Sequence, residues 1–352
     1  MRRCSSCFDD GGYFRILQGQ GVLEAAPAGF RPLWKGEAMA NVLITGGAGF
    51  IGSHLATRLV ERGHRVRILD NFSSGRRENL THLAGRFELI EGDIRDAETC
   101  HRAARDVEFV FHEAAIGSVP KSVEDPQASH DVNVNGTFNV LRAAADGKVR
   151  RFIYAGSSSA YGDTTESPKH EGIRPEPLSP YAVQKLAGEL YARAFYECFG
   201  LGSISLRYFN VFGARQDPHS RYAAVIPAFV FAMLRGEPPV VYGDGEQTRD
   251  FTYVDNVVDG NVLAMEAEAT RGEAVNVACG AAISINQLIA ALNRLLGTHI
   301  APRYADPRPG DILHSCAAIG LARRLLGYEP RIGMEEGLHR ALDHFRETAA
   351  GC

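Results

Sequence analysis

Residues Asn41–His54 read NVLITGGAGFIGSH. A short apolar run, NVLITG, ends on a glycine. Further glycines follow at Gly49 and Gly52, before an apolar-periodic stretch predicted to be helical from Phe50 to about Arg62. Strand, glycine turn and helix in that order form a phosphate cradle. Missing side chains let the main chain turn tightly and approach a pyrophosphate, and the helix N-terminus stabilises its charge. Gly46, Gly49, Phe50, Ile51 and Gly52 are therefore candidates for contact with a dinucleotide. The next apolar run, RVRILD, ends on Asp70, placed to accept hydrogen bonds from the adenosine ribose hydroxyls. A carboxylate there would repel a 2′-phosphate, which favours NAD over NADP, although Arg76 and Arg77 follow closely. Asp93 and Ile94, after a third run, RFELIEGD, are placed either to border the adenine or to form a plain turn.

The alternation continues outward from this turn. VEFVFHEAA, RFIYAGS and GSISLRYFNVFG read as strands four to six, and Asp125–Ala145 and Pro180–Phe199 as helices between them. This order predicts an α/β fold, a Rossmann-type doubly wound parallel sheet. After Gly213 the chain is richer in Pro and Gly, which suggests a smaller C-terminal substrate-binding domain. The expected division is a dinucleotide-binding domain over 39–212 with a returning segment at about 241–265, and a smaller domain from 213–240 and 266–346. Residues 1–38 show no sustained period and carry no apolar core behind Arg2 and Arg3, so they read as a disordered leader, with the fold beginning at Met39.

The 352 residues are 45% hydrophobic and 23% charged, with a net charge of −4. That balance gives no reason to expect nucleic acid or an anionic membrane as partner. The longest apolar run, Ala223–Leu234, is too short for a bilayer and contains Pro227. The seven cysteines are odd in number and scattered, as in a cytoplasmic protein with reduced thiols. Cys4 and Cys7 form a lone CxxC without the two further ligands a zinc site needs, so no metal is expected.

A second constellation lies further on. Tyr181 and Lys185 are spaced i, i+4 at the start of a predicted helix, so both side chains share one face. An ammonium beside a phenol lowers its pKa from about 10. Tyr181 could then act as a general base. Upstream, SSSAYG (Ser157–Gly162) places three hydroxyls directly after the fifth strand.

Taken together, TGGAGFIGSH, HEAA, SSSAYGD, SPYAVQK, LRYFNVFG and DGEQTRDFTYVDNVV resemble the extended short-chain dehydrogenase/reductase superfamily. They look most like its NAD-dependent nucleotide-sugar 4-epimerases, over essentially all of 40–345. The resemblance implies Ser157, Tyr181 and Lys185 as the catalytic set. It adds Asn71, Ala114 and Tyr208 to the NAD contacts, where Tyr181 and Lys185 also count. Related 4,6-dehydratases carry Asp-Glu directly after the catalytic hydroxyl, and related decarboxylases keep a glutamate at the second position. Here both are serines, Ser158 and Ser159, which would lie near the sugar. Elimination and decarboxylation thus lack their acid, and hydride transfer with one proton remains.

The resemblance also implies a UDP-sugar substrate. Asn210 matches a nucleotide-diphosphate contact, Arg249 and Arg308 match arginines gripping the diphosphate, and Asp311 matches an acid on the nucleotide ribose. Lys121 stands where a base often lies near sugar and phosphates. RQDP (215–218) and GDILHSC (310–316) resemble the subgroup preferring N-acetylated UDP-hexoses. Ser315 replaces the bulky tyrosine of enzymes restricted to UDP-glucose and UDP-galactose, leaving room for a 2-acetamido group. Interconversion of UDP-N-acetylglucosamine and UDP-N-acetylgalactosamine is the expected activity. The alternatives are 4-epimerisation of UDP-glucose/UDP-galactose or of UDP-glucuronate. The family's habit implies a homodimer through the helices predicted at 125–145 and 180–199.

Overall fold

The computed structural model describes residues 39–217, 224–268, 270–307 and 312–350. The expectations for residues 1–38, including Cys4 and Cys7, fall outside it, as do those for Arg308 and Asp311. Six strands follow the expected order: β1 (Asn41–Thr45), β2 (Arg65–Asp70), β3 (Phe87–Glu91), β4 (Phe109–His112), β5 (Arg151–Ser157) and β6 (Ser203–Tyr208). A seventh, Arg271–Val277, joins them in one sheet with spatial order seventh-β6-β5-β4-β1-β2-β3. All its pairings are parallel.

Parallel strands are covered on both faces and therefore read as near-continuous apolar runs. Alternation decides which face each residue serves. Val42, Ile44, Ile68 and Ile153 point to one side, where α1 (Phe50–Glu61) contributes Leu55 and Leu59 and the helix Val254–Glu266 contributes Val258 and Val262. Leu43, Leu69, Val110 and Phe152 point to the other, and α2 (Ala97–Ala104) closes that side with Cys100 and Ala103. The edge strand β3 is the least buried and carries Glu88 and Glu91, which blunt the open edge.

Two sequence expectations need correction. The stretch at about 241–265 supplies the helix Val254–Glu266 on one face of the sheet, but Arg271–Val277, expected in the smaller domain, also joins the sheet as its seventh strand. RGEAVNV offers no apolar run, and its register shifts between Arg271 and Glu273, around Gly272 at φ +83. The helix expected over 125–145 is built in pieces. After α3 (Val119–Glu124), α4 (Pro126–His130) passes through a π-helical turn, Asp131–Gly136, into α5 (Thr137–Asp146). Asn133 sits in that turn, 1% exposed. It accepts the Ile116 N–H and donates to the carbonyl of Ile116 and to Gln184 Oε1, a set of partners that periodicity does not reveal. α6 (Pro180–Phe199) runs as expected. Ser179 caps it, Pro180 opens it, and Gly200 ends it in the left-handed region at φ +69.

The apolar run near 223–234 forms the helix Val225–Leu234, which buries Ile226, Phe229, Val230 and Met233. Among the described residues no helix is long and apolar enough to cross a membrane. β1 has β2 on one side and β4 on the other, so the strand order reverses there. The crevice beyond the carboxyl ends of β1 and β4 is where such sheets bind ligands.

Candidate active site

The glycine turn sits at that reversal. Gly46 has φ +69, and a Cβ on it would lie 2.7 Å from the Ala114 main chain, at the end of β4. A Cβ on Gly52 would lie 2.2 Å from the Gly46 carbonyl oxygen, so the first turn of α1 can pack here only without one. Gly49 caps α1 with no side-chain hydrogen bond, and no acid occupies the first turn. The open amides thus face the crevice with uncompensated positive character. Phe50 and Ile51 are half-buried beside them. This cradle fits a dinucleotide pyrophosphate.

Asp70, 7% exposed, ends β2 next to the cradle. Its carboxylate accepts the N–H groups of Ala48 and Phe72, both at 2.8 Å. Burial raises its pKa, and those two amide bonds work against the rise. Each carboxylate oxygen retains a lone pair for a ribose hydroxyl. Asn71 donates to Asp93 at 2.8 Å. Asp93 is held down to about 2, first by the hydrogen bond from Arg95. Ile94 is buried. Arg76 pairs with Asp217 at 2.9 Å, and Arg77 pairs with Glu91 and lies 4.0 Å over the Phe72 ring. Both arginines beside Asp70 are thus engaged elsewhere, in keeping with NAD rather than its 2′-phosphate.

On the other side of the crevice, the single helical turn Ser158–Tyr161 follows β5 and is capped by Ser157. Ser157 Oγ lies 2.8 Å from Ser159 Oγ. The Ser157 hydroxyl is near enough to Tyr181 to act on its phenol, so the two are brought together. Lys185 is 5% exposed, and its Nζ donates to the Ala155 carbonyl at 2.9 Å. It lies 5.1 Å over the Tyr154 ring. Burial holds the Tyr181 phenol above its ordinary value, with the neighbouring Ser157 hydroxyl opposing. The expected lowering by Lys185 is therefore not what these residues produce by themselves, because the ammonium is turned to Ala155.

The site also holds an acid that the sequence reading quoted in HEAA without singling it out. Glu113 directly follows β4, and burial pushes its carboxyl up. It accepts from Tyr208 Oη at 2.8 Å, and Asn261 donates to the same oxygen at 2.8 Å. Glu113 and Lys185 feel one another's charge: burial lowers the lysine and Glu113 raises it. An acid at the end of an apolar strand was legible, but its meaning waited on the strand order.

The expected substrate contacts fall into two groups. Arg249 and Ser315 are cross-strand partners in the short strands Thr248–Arg249 and His314–Ser315. Ser315 is 6% exposed, and Arg249 donates to the Thr248 carbonyl at 2.9 Å. Asp250, next in the chain, anchors this region by accepting the N–H groups of Cys279, Gly280 and Ala317. Asn210 is exposed at φ +35 and donates to the Asp250 carbonyl at 3.1 Å. Ser158 and Ser159 are half-buried in the catalytic loop. Lys121 is exposed on α3, a helix that docks on the start of α6 through a hydrogen bond from the Tyr181 N–H to Ser122 Oγ.

The chain is similar to known proteins over most of its length. Residues 42–278 match the NAD dependent epimerase/dehydratase family. The chain is 39% identical over 313 residues to a UDP-glucose 4-epimerase of Mycolicibacterium smegmatis, covering 88% of this chain and 99% of that one. Among solved structures it is similar to a UDP-N-acetylglucosamine 4-epimerase from Methanobrevibacter ruminantium in complex with UDP-N-acetylmuramic acid. That match has 40% identity and a TM-score of 0.85, over 89% of this chain and 100% of the other. It is also similar to a UDP-glucose 4-epimerase of Thermus thermophilus in complex with NAD, at 36% identity and a TM-score of 0.79, over 87% and 99% of the two chains.

Proposed function

We propose, for a chain that belongs to the NAD dependent epimerase/dehydratase family and is an NAD-dependent UDP-sugar 4-epimerase, that its preferred substrate pair is UDP-N-acetylglucosamine and UDP-N-acetylgalactosamine. Bound NAD supplies a hydride acceptor for the sugar C4 and a donor for its return. Tyr181 takes the 4-hydroxyl proton as the 4-keto sugar forms, and gives it back after the sugar has turned. Ser157, beside Tyr181, steadies the developing charge on that oxygen. Lys185, one turn along α6 with its ammonium on the Ala155 carbonyl, is the cation available to the ribose of bound NAD or, on turning, to the phenol. Ser158 and Ser159 stand where an acid would be needed for elimination or decarboxylation, so epimerisation is the chemistry left.

The observation that carries the sugar preference is Ser315, a small side chain on the strand paired with Arg249. With Arg249 at the diphosphate, Ser315 lines the sugar pocket and leaves room for the 2-acetamido group. Ser315→Tyr is the test. It should reduce kcat/KM for UDP-N-acetylglucosamine by about ten- to hundredfold while sparing UDP-glucose within a few-fold. Equal loss of both sugars would remove Ser315 from the pocket wall.

We also propose a homodimer through α5 and α6. Phe138, Val183, Leu190, Tyr191 and Phe199 are exposed there, and Phe138 meets Tyr191 edge-on with ring centres 5.6 Å apart. Contiguous exposed apolar side chains of this kind mark an interface. Light scattering should give twice the chain mass, and Leu190→Glu should halve it. A monomeric wild type would refute the dimer.

A further inference from the structure

Lys169 is 1% exposed and takes no part in the chemistry above. Its Nζ donates to the Gly162 carbonyl at 3.0 Å. Gly162 closes the helical turn Ser158–Tyr161, at φ +67. The main chain of Lys169 points the other way, into a parallel bridge with Ala317. Its N–H donates to the Cys316 carbonyl, and the Ala318 N–H donates to its own carbonyl, both at 2.8 Å. Cys316 directly follows Ser315.

A second arm closes the ring. Tyr161 is fully buried, and its Oη donates to Asn276 Oδ1 at 2.7 Å. The Asn276 amide nitrogen donates to the carbonyls of Lys169 and Ala318, at 2.9 and 3.1 Å. The loop of Ser157–Ser159 is therefore joined to the strand of Ser315 twice, once through Lys169 and once through Tyr161 and Asn276.

A methionine would fill the Lys169 site at less cost, because burial disfavours the ammonium. Asp163 nearby favours the charge and Arg249 opposes it. What the ammonium adds is a charge-assisted hydrogen bond to a loop carbonyl, stronger and more directional than packing.

We propose that Lys169 is a positioning residue for the epimerase reaction, setting the catalytic loop and the Ser315 strand as one unit. The inference rests on the UDP-hexose 4-epimerase reading. The hydroxyl at the sugar C4 and the wall beside its 2-substituent then keep a fixed separation, which the two substrates sense differently.

The experiment compares wild type, Lys169→Met and Tyr161→Phe on UDP-N-acetylglucosamine and UDP-glucose, with melting temperature and bound NAD measured in parallel. Lys169→Met should lower kcat about ten- to hundredfold, as misplacement by an ångström does. KM should change by less than about threefold. The ratio of kcat/KM for the two sugars should move towards unity by about fivefold, as loss of a packing discrimination does. Tyr161→Phe cuts only the second arm and should move both quantities the same way by less; it carries the test alone if Lys169→Met does not fold. A folded Lys169→Met enzyme with kcat and sugar ratio within about twofold of wild type would overturn the proposal, even with a lowered melting temperature, since Lys169 would then be structural only. Wild type that epimerises neither sugar would instead sink the reading beneath it.

Discussion

Removing Glu189 should damage the protein more than removing it together with its partner. Glu189 lies on α6 one turn beyond Lys185, and so two turns beyond Tyr181, on the same face. It accepts from Arg207 Nε at 2.9 Å and Nη2 at 2.6 Å, with side chains 10% and 3% exposed. Arg207 also lies 4.5 Å over the Tyr161 ring. Burial works to lower the guanidinium pKa, but the hydrogen bonds and charge of Glu189 outweigh it and leave it raised. Arg207 Nη1 has no hydrogen-bond partner among the described residues, so Glu189, with the Tyr161 ring, compensates this buried charge. Glu189→Ala strands it, at a cost of about 3–5 kcal/mol. Three kcal/mol alone lowers the folded-to-unfolded ratio more than a hundredfold. The double variant Glu189→Leu with Arg207→Met restores volume without charge and should recover to within about 1–2 kcal/mol of wild type. Urea denaturation followed by circular dichroism, at saturating NAD for every variant, reads both numbers. A single-variant loss below about 1 kcal/mol, or a double variant as unstable as the single, would refute the reasoning.

Two further outcomes follow from the same structure. Tyr181→Phe should lower kcat by about 10²–10⁴-fold with KM and bound NAD little changed, and steady-state kinetics that found less than a tenfold loss would reassign the proton transfer. His54 is held neutral, its pKa lowered from 6.5 to about 4 first by burial and then by Arg215, while the Ala214 carbonyl opposes at 2.9 Å. Its folded pKa lies below its unfolded one. It therefore contributes stability, roughly 2–3 kcal/mol, that is fully present above pH 6.5 and lost as pH falls through 4. His54→Gln should flatten that limb of the stability–pH curve.

Features carried by local pattern were legible from the sequence. The glycine cradle, β1 to β6 and α6 announce themselves through apolar runs, caps and forced backbone conformations. The Tyr181–Lys185 spacing needed only the helical period. What escaped the sequence are buried polar groups whose partners lie far along the chain. Glu113 depends on Tyr208 and Asn261, Glu189 on Arg207, and Lys169 on Gly162 and Cys316. Each would read as an ordinary exposed charge until the fold removes its water. The returning strand Arg271–Val277 was missed for a related reason: its place in the sheet is set by its parallel neighbour β6, not by its own composition.

That late strand bears on how the protein is made. β6 is buried along its whole length, and its outer edge is paired only when Arg271–Val277 arrives. During synthesis, or in a chain cut after residue 212, β6 presents an unpaired edge with free N–H and carbonyl groups, a template for pairing with other chains. Parallel pairing over so long a separation also makes folding slow. The window between the emergence of β6 and the arrival of its neighbour is when this chain is most exposed to aggregation and most in need of a chaperone.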